Sequence, residues 1–113
     1  MTGHQLAPGE HIFHIATVDD WQAALLAGDY RVSTLGRLLA DEGFLHASRA
    51  GQVDGVRAAF YAGPGLRLVL LEIDPALLEV ELRLEVPPGA DEAFPHIYGP
   101  LRTDAVVAVR DLV

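Results

Sequence analysis

Apolar and polar residues alternate most regularly in the second half of the chain. Over residues 80–86, valine and leucine alternate with glutamate and arginine, which predicts a strand with one wet face. Residues 66–73 are almost continuously apolar and predict a strand buried on both faces. A further apolar run predicts the last strand within residues 104–112. Short apolar runs at residues 11–16 and 44–47 bring the prediction to about five strands.

Helical spacing of apolar residues is confined to the first half of the chain. Trp21, Ala24 and Leu25 share one face of a predicted helix over residues 18–27. A short second helix is predicted over residues 34–40, with Ser33 as its candidate N-cap.

A third helix is predicted over residues 49–61, with Ser48 as its N-cap. Val53, Val56 and Phe60 recur in it at spacings of three and four and form the expected inner face. Two or three helices early in the chain and strands late in the chain indicate an α+β fold.

The sequence contains no repeat and no linker, and its composition does not change along the chain, so we predict one domain. It covers residues 11–113 and follows a loose N-terminal leader at residues 1–10.

Composition narrows the function classes. There is no cysteine, which excludes disulfides, thiolate nucleophiles and cysteine-ligated metals. Eight arginines oppose sixteen acidic residues, and a net charge of −8 argues against general nucleic-acid binding. No apolar run approaches the ~20 residues of a membrane span, and no signal peptide is evident, so we expect no membrane contact and a cytoplasmic location.

The segment Phe94-Pro95-His96-Ile97-Tyr98-Gly99 combines a histidine and a tyrosine with rigid backbone. Proline fixes its own φ and favours extended geometry in the residue before it. In an extended segment His96 and Tyr98 point to the same side, which makes this segment one wall of a candidate site.

His14 and His46 are further candidates, and each has a structural alternative. His14 lies in the first strand and is either a site residue or a core-edge histidine bonded to backbone. His46 lies two residues before Ser48, where a helix N-terminus would favour an anion. Alternatively, Ser48 only caps the helix and His46 only fills space.

With His96, these histidines could hold a metal in principle, but no pair has the close spacing of zinc motifs. We therefore predict no metal site and keep a metal-dependent hydrolase only as the weakest hypothesis.

Taken together, the segments resemble the bacterial family catalogued as domain of unknown function 952. The resemblance extends from Ile12 to about Leu112. It rests on Ile12-Phe13-His14-Ile15, Trp21, Gly43-Phe44-Leu45-His46-Ala47-Ser48, Gln52, Leu70-Leu71-Glu72-Ile73-Asp74-Pro75, Leu82-Arg83-Leu84-Glu85 and Phe94-Pro95-His96-Ile97-Tyr98-Gly99-Pro100-Leu101. The loop at residues 87–92 departs from the family pattern, which often has an arginine and paired glycines there.

The resemblance implies a fold related to ADP-ribosyltransferases, with a split, mostly antiparallel sheet and a cleft between its halves. It implies that His14 and His46 line a dinucleotide pocket, with Ser48 completing a His-x-Ser pattern like that of RNA 2′-phosphotransferases. The late glutamate of the protein-modifying enzymes has no clear counterpart, and His96 or Tyr98 would occupy its region. That absence argues against ordinary protein ADP-ribosylation.

We therefore expect a histidine-lined cleft that binds a nucleotide-like or phosphorylated ligand, with NAD as a candidate cofactor and a transferase reaction as one possibility. The candidate catalytic residues are His14, His46, His96 and Tyr98, and the candidate ligand contacts are Ser48, Gln52, Arg83 and Glu85. The alternative is a non-catalytic binding or interaction module with the same fold. A monomer and a homodimer are equally compatible with the sequence.

Overall fold

Two three-stranded antiparallel sheets form the frame of the protein. The computed structural model describes residues 5–63 and 65–112. The strands are β1 (Ile12–Thr17), β2 (Asp29–Tyr30), β3 (Val32–Thr34), β4 (Arg37–Leu38), β5 (Leu45–His46), β6 (Leu68–Ile73), β7 (Glu81–Glu85), β8 (Phe94–Tyr98), β9 (Leu101–Arg102) and β10 (Val106–Leu112). The α-helices are α1 (Val18–Ala27), α2 (Leu39–Glu42) and α3 (Val53–Phe60), and single 3-10 turns lie at Ala50–Gln52, Pro75–Leu77 and Thr103–Ala105.

The first sheet has the order β1-β6-β10 and the second has the order β5-β8-β7. All of their pairings are antiparallel, and β2-β9 and β3-β4 form two small two-stranded sheets. Phe13 and Ser48 connect the two larger sheets, because each backbone N–H donates to the carbonyl of the other, at 2.8 and 2.7 Å. The predicted α+β class with a mostly antiparallel arrangement is confirmed.

The central strand β6 is buried along one face, but the expected burial of its other face is incomplete, because only the first of the three residues there is fully buried. Val69, Leu71 and Ile73 lie on the face that packs into the main core. Leu68 lies on the opposite face, in a second core cluster that Tyr61 completes. The main core therefore lies between the two sheets, and Leu45 and Ile97 of the second sheet reach into it.

The helix predicted over residues 34–40 is wrong. The chain forms β3, turns at Gly36 with φ of +76°, forms β4 and only then enters the four-residue helix α2. The Ser33 hydroxyl, expected to start the helix, is buried and accepts the N–H of His46 at 3.2 Å. A tertiary hydrogen bond thus replaces the local capping role.

The third helix is also shorter than predicted, because the chain begins with the 3-10 turn and becomes α-helical only at Val53. Ser48 does not cap it, because Arg49 is the N-cap of the 3-10 turn and Gln52 is the N-cap of the α-helix. Phe60 is 53% exposed, so the prediction that it faces inward is wrong. The same error applies to Leu25 of α1, which is 55% exposed, whereas Trp21 and Ala24 are buried as predicted.

Part of the predicted leader, residues 1–4, lies outside the described residues. In the rest of it, Leu6 packs against the main core, and Glu10 binds the guanidinium of Arg49 through two contacts of 2.8 and 2.9 Å. Within residues 5–63 and 65–112, no helix is long and apolar enough to cross a bilayer.

Candidate functional site

The second sheet presents a row of rings on the face that points away from the core. Side chains alternate along a strand, and Leu45 and Ile97 occupy the core face. His46 and His96, which pair directly across β5 and β8, therefore share the opposite face. We call the rings on this face the ring cluster: Phe44, His46, Phe94, His96 and Tyr98.

His96 lies at the centre of the ring cluster. Phe44 stacks on its imidazole with 4.0 Å between ring centroids and 19° between ring planes. His46 meets it edge to face, at 4.8 Å and 83°. These neighbours leave only 3% of His96 exposed.

A carboxylate holds His96 and Tyr98 together. Glu85 on the adjacent strand β7 accepts a hydrogen bond from the hydroxyl of Tyr98 and lies 2.9 Å from Nδ1 of His96. The bond from Tyr98, and then the bond from His96, hold the pKa of the Glu85 carboxyl below its usual value. The same contact raises the pKa of the Tyr98 phenol, because it stabilises the protonated hydroxyl beside an anion.

The other imidazole nitrogen of His96 has no partner. Nε2 is buried and makes no hydrogen bond, and it alone has this property among the buried side-chain nitrogens and oxygens of the described residues. Since Nδ1 donates its proton to Glu85, Nε2 of the neutral ring carries a lone pair. A buried polar atom without a partner costs free energy, which makes this atom the clearest indication of a ligand contact.

His14 uses both of its ring nitrogens for contacts within the protein. It is 3% exposed, its Nδ1 donates to the backbone carbonyl of His46, and its Nε2 lies 3.3 Å from the hydroxyl of Tyr30. Burial lowers the pKa of His14 to about 4, so the ring is neutral at pH 7. Both nitrogens are engaged, which matches the interpretation of His14 as a histidine bonded to backbone, and the bond to His46 links the two sheets.

A small cavity lies beside His14. It is lined by both sheets and by α3, through His14, Ile15, Ser33, Thr34, His46, Ala47, Ser48, Val56, Phe60 and Tyr61. The volume open to the centre of a water molecule is about 20 Å³, so the cavity holds roughly one water. His14 and His46 share this cavity, whereas His96 does not line it, so the three histidines do not converge on one space.

His46 is the residue common to the cavity and the ring cluster. Burial lowers its pKa, and the neighbouring His96 lowers it further. Neutral imidazole is therefore the favoured form of His46 near pH 7, and it both donates and accepts hydrogen bonds.

The remaining predicted ligand contacts differ in their availability. Gln52 is engaged within the protein, because its amide nitrogen donates to the carbonyl of Ala93 at 2.8 Å and its oxygen accepts the N–H of Arg49 at 2.9 Å. Arg83 is exposed, pairs with Glu81 at 2.9 Å and lies 4.6 Å above the ring of Tyr98.

Ser48 is 5% exposed and lines the small cavity rather than the ring cluster. Among residues 5–63 and 65–112, no group of three or more histidine, aspartate or glutamate side chains is placed to hold a metal ion.

Two rings of the cluster, Phe44 and Phe94, were not among the predicted site residues. The signal was present, because Phe44 precedes His46 by two positions and Phe94 precedes His96 by two. In strands, residues two apart share a face. The spacing of two residues that placed His96 and Tyr98 on one face therefore also predicts that both phenylalanines share the face of the histidines.

Comparisons with known proteins identify one family. The model of a family described as "Protein of unknown function (DUF952)" matches residues 15–109. A crystal structure of protein CC0527 from Caulobacter crescentus is 30% identical, with a TM-score of 0.78 over 91% of this chain and 86% of that one. A solution NMR structure of the same protein gives a TM-score of 0.72 at 30% identity, over 90% of this chain and 84% of that one. A comparison with curated proteins found no match.

Proposed function

The chain belongs to the DUF952 family, and we propose that it binds a nucleotide-like ligand of the NAD or ADP-ribose type on the ring cluster. The observation that carries the proposal is the unpartnered, buried Nε2 of His96, on a ring that Glu85 holds in one orientation. An oriented imidazole with a free nitrogen is a ready hydrogen-bonding group for a ligand.

The surrounding rings support a ligand with a planar part. Phe44, Phe94 and Tyr98 offer aromatic surface within one face of the sheet, and planar bases stack on such surfaces. His46 adds a neutral imidazole beside them.

Binding requires a side-chain movement. The cavity beside His14 holds about one water, so a nucleotide cannot enter it as it stands. The rings in contact with His96 are those of Phe44 and His46, and both are half-buried. A ligand that reaches Nε2 must therefore turn one of these two side chains aside.

A transferase reaction is the second candidate function, and the Glu85–His96 pair favours it. A carboxylate that orients an imidazole is the usual arrangement of a general base, which can take a proton from an attacking hydroxyl. The two antiparallel sheets that meet at Phe13 and Ser48 support the proposed relation to the split sheet of ADP-ribosyltransferases. A cytoplasmic location and a monomeric or homodimeric state stay predictions.

Binding is tested by calorimetric titration with ADP-ribose, NAD and a 2′-phosphorylated nucleotide. His96→Asn keeps a donor near Glu85 and removes the Nε2 acceptor, so we expect about a tenfold loss of affinity. His11→Asn is the matched control, because His11 also places Nδ1 near a carboxylate, at 2.7 Å from Glu72, but lies outside the ring cluster. Absence of binding by the unmodified protein, or equal losses in both variants, would refute the proposal.

The transferase candidate needs a separate measurement. Incubation with NAD, followed by chromatographic detection of released nicotinamide, reports cleavage of the glycosidic bond. If His96 is the base, Glu85→Gln slows the release by at least about tenfold while ADP-ribose affinity changes less. If the unmodified protein binds NAD tightly but releases no nicotinamide, the transferase candidate is refuted and the protein is a binding module.

A further inference from the structure

The hydrogen-bonding groups of the ring cluster select for one part of a ligand. In the neutral imidazole of His96, Nδ1 carries the proton donated to Glu85 and Nε2 is therefore an acceptor. Glu85 is an ionised carboxylate, and only one of its oxygens is used by His96 and Tyr98. An ionised carboxylate only accepts hydrogen bonds. A ligand that satisfies these atoms must therefore supply donors.

The local charge points in the same direction. The charged side chains of β7 beside the cluster are Glu81, Arg83 and Glu85, two acids and one base, which leave a net charge of −1. The guanidinium of Arg83 already binds both oxygens of Glu81, at 2.9 and 3.0 Å, and lies over Tyr98. A phosphate placed here would meet carboxylates before it met a free cation.

We propose that the ring cluster recognises an uncharged, hydroxyl-bearing ring, such as a sugar or the ribose of a nucleoside, through hydrogen bonds donated to Nε2 of His96 and to Glu85. This inference rests on the proposed function and decides which end of a nucleotide docks against His96. Aromatic rings beside a carboxylate and an imidazole suit a sugar, because the rings pack on its C–H face while its hydroxyls donate. Any phosphate of the ligand points away from the second sheet.

The first test uses the unmodified protein, so it does not depend on the folding of a variant. Adenosine, 2′-deoxyadenosine, 3′-deoxyadenosine and inorganic phosphate are titrated separately while amide chemical shifts of β5, β7 and β8 are followed. We expect adenosine to shift these amides, one of the two deoxy analogues to bind about tenfold more weakly, and phosphate to leave them unchanged.

The second test assigns the lost hydroxyl contact to His96. In His96→Asn the difference between adenosine and the weaker deoxy analogue should shrink to about twofold, because the acceptor is gone. In His11→Asn the tenfold difference should remain.

The outcomes separate this inference from the proposed function. If ADP-ribose binds but both deoxy analogues bind as well as adenosine, or if phosphate shifts the same amides, the hydroxyl-docking inference is overturned and the proposed function stands. If neither adenosine nor ADP-ribose binds, both fail. A selective loss with one deoxy analogue that disappears in His96→Asn supports both.

Discussion

At the scale of single residues, Gly99 shows how tightly the segment with His96 is packed. A Cβ added at Gly99 would lie 2.5 Å from Cγ1 and 2.9 Å from Cβ of Val80, at a φ of +158°. Both distances are far below normal van der Waals contact, so the backbone would have to shift. We expect Gly99→Ala to lower the free energy of unfolding by about 2 kcal/mol, measured by urea denaturation.

The matched substitution lies in α3. A Cβ added at Gly55 meets nothing within 4 Å, and its φ is not in the left-handed region. Gly55→Ala should therefore raise the free energy of unfolding by about 0.5–1 kcal/mol through helix propensity. Equal destabilisation by both substitutions would contradict the role assigned to Val80.

His14 makes stability depend on pH in a defined window. Its pKa is about 4 in the folded state and near 6.5 in the unfolded chain, because burial disfavours the charged ring. The unfolded state therefore binds more protons between these values, and stability falls as pH drops from 6.5 to 4. The contribution of His14 to the free energy of unfolding is fully present above pH 6.5. It is lost as the pH falls towards 4, and the loss is on the order of 3 kcal/mol.

His14→Gln removes the titrating group and so tests this assignment. Urea unfolding of both proteins between pH 7.5 and 4.5 should show the variant less stable by about 2 kcal/mol at neutral pH, since it loses hydrogen bonds to His46 and Tyr30. The gap should narrow as pH falls. A constant gap would mean that His14 does not change its protonation on folding in this pH range.

At the scale of elements, local pattern predicted strands better than short helices. The alternation over residues 80–86 and the apolar run over residues 66–73 correspond to β7 and β6, since a strand face is visible in the period of the sequence itself. The helix prediction for residues 34–40 was wrong because the Ser33 hydroxyl accepts a hydrogen bond from the distant N–H of His46. No local pattern contains that partner.

The candidate site shows the same division. Parity along a strand placed His96 and Tyr98 on one face, and it also applied to Phe44 and Phe94. The pairing of His46 with His96 depends on the antiparallel register of β5 and β8, which lie 50 residues apart between those positions. Register follows from packing of the whole sheet, so the sequence alone could not decide which histidines meet.

Gln52 links two elements of the protein, which predicts a structural effect that differs from that of a ligand contact. Its amide ties the start of α3 to the carbonyl of Ala93, just before β8. Gln52→Ala should lower the free energy of unfolding by about 1–2 kcal/mol, because the part-buried carbonyl of Ala93 loses its donor, while ADP-ribose affinity stays within about twofold. Asp91→Ala in the same loop is the exposed control and should change stability little. A loss of affinity without a loss of stability would restore Gln52 as a ligand contact.

At the scale of the whole molecule, two sheets share one core in a chain that carries a large negative charge. Hydrogen bonds between the sheets include the Phe13–Ser48 pair and the bond from His14 to the carbonyl of His46. The ring cluster lies on the second sheet, beside acidic residues of β7. The net charge of the chain, −8, therefore has the same sign as the local charge beside the ring cluster, and both repel an anionic ligand.

This charge predicts an unusual response to salt. Nucleic-acid-binding proteins lose affinity as salt rises, because cations are released from the phosphates they neutralise. Here the protein and ADP-ribose are both anionic, so screening weakens a repulsion, and affinity should rise by about two- to threefold between low salt and 0.2 M. Adenosine is uncharged and should bind with nearly constant affinity over the same range, which makes it the internal control. Calorimetric titration at several salt concentrations measures both. A fall in ADP-ribose affinity with salt would mean that an arginine, with Arg83 the nearest, leaves its carboxylate to bind the phosphates, and the ligand would then dock in the opposite orientation.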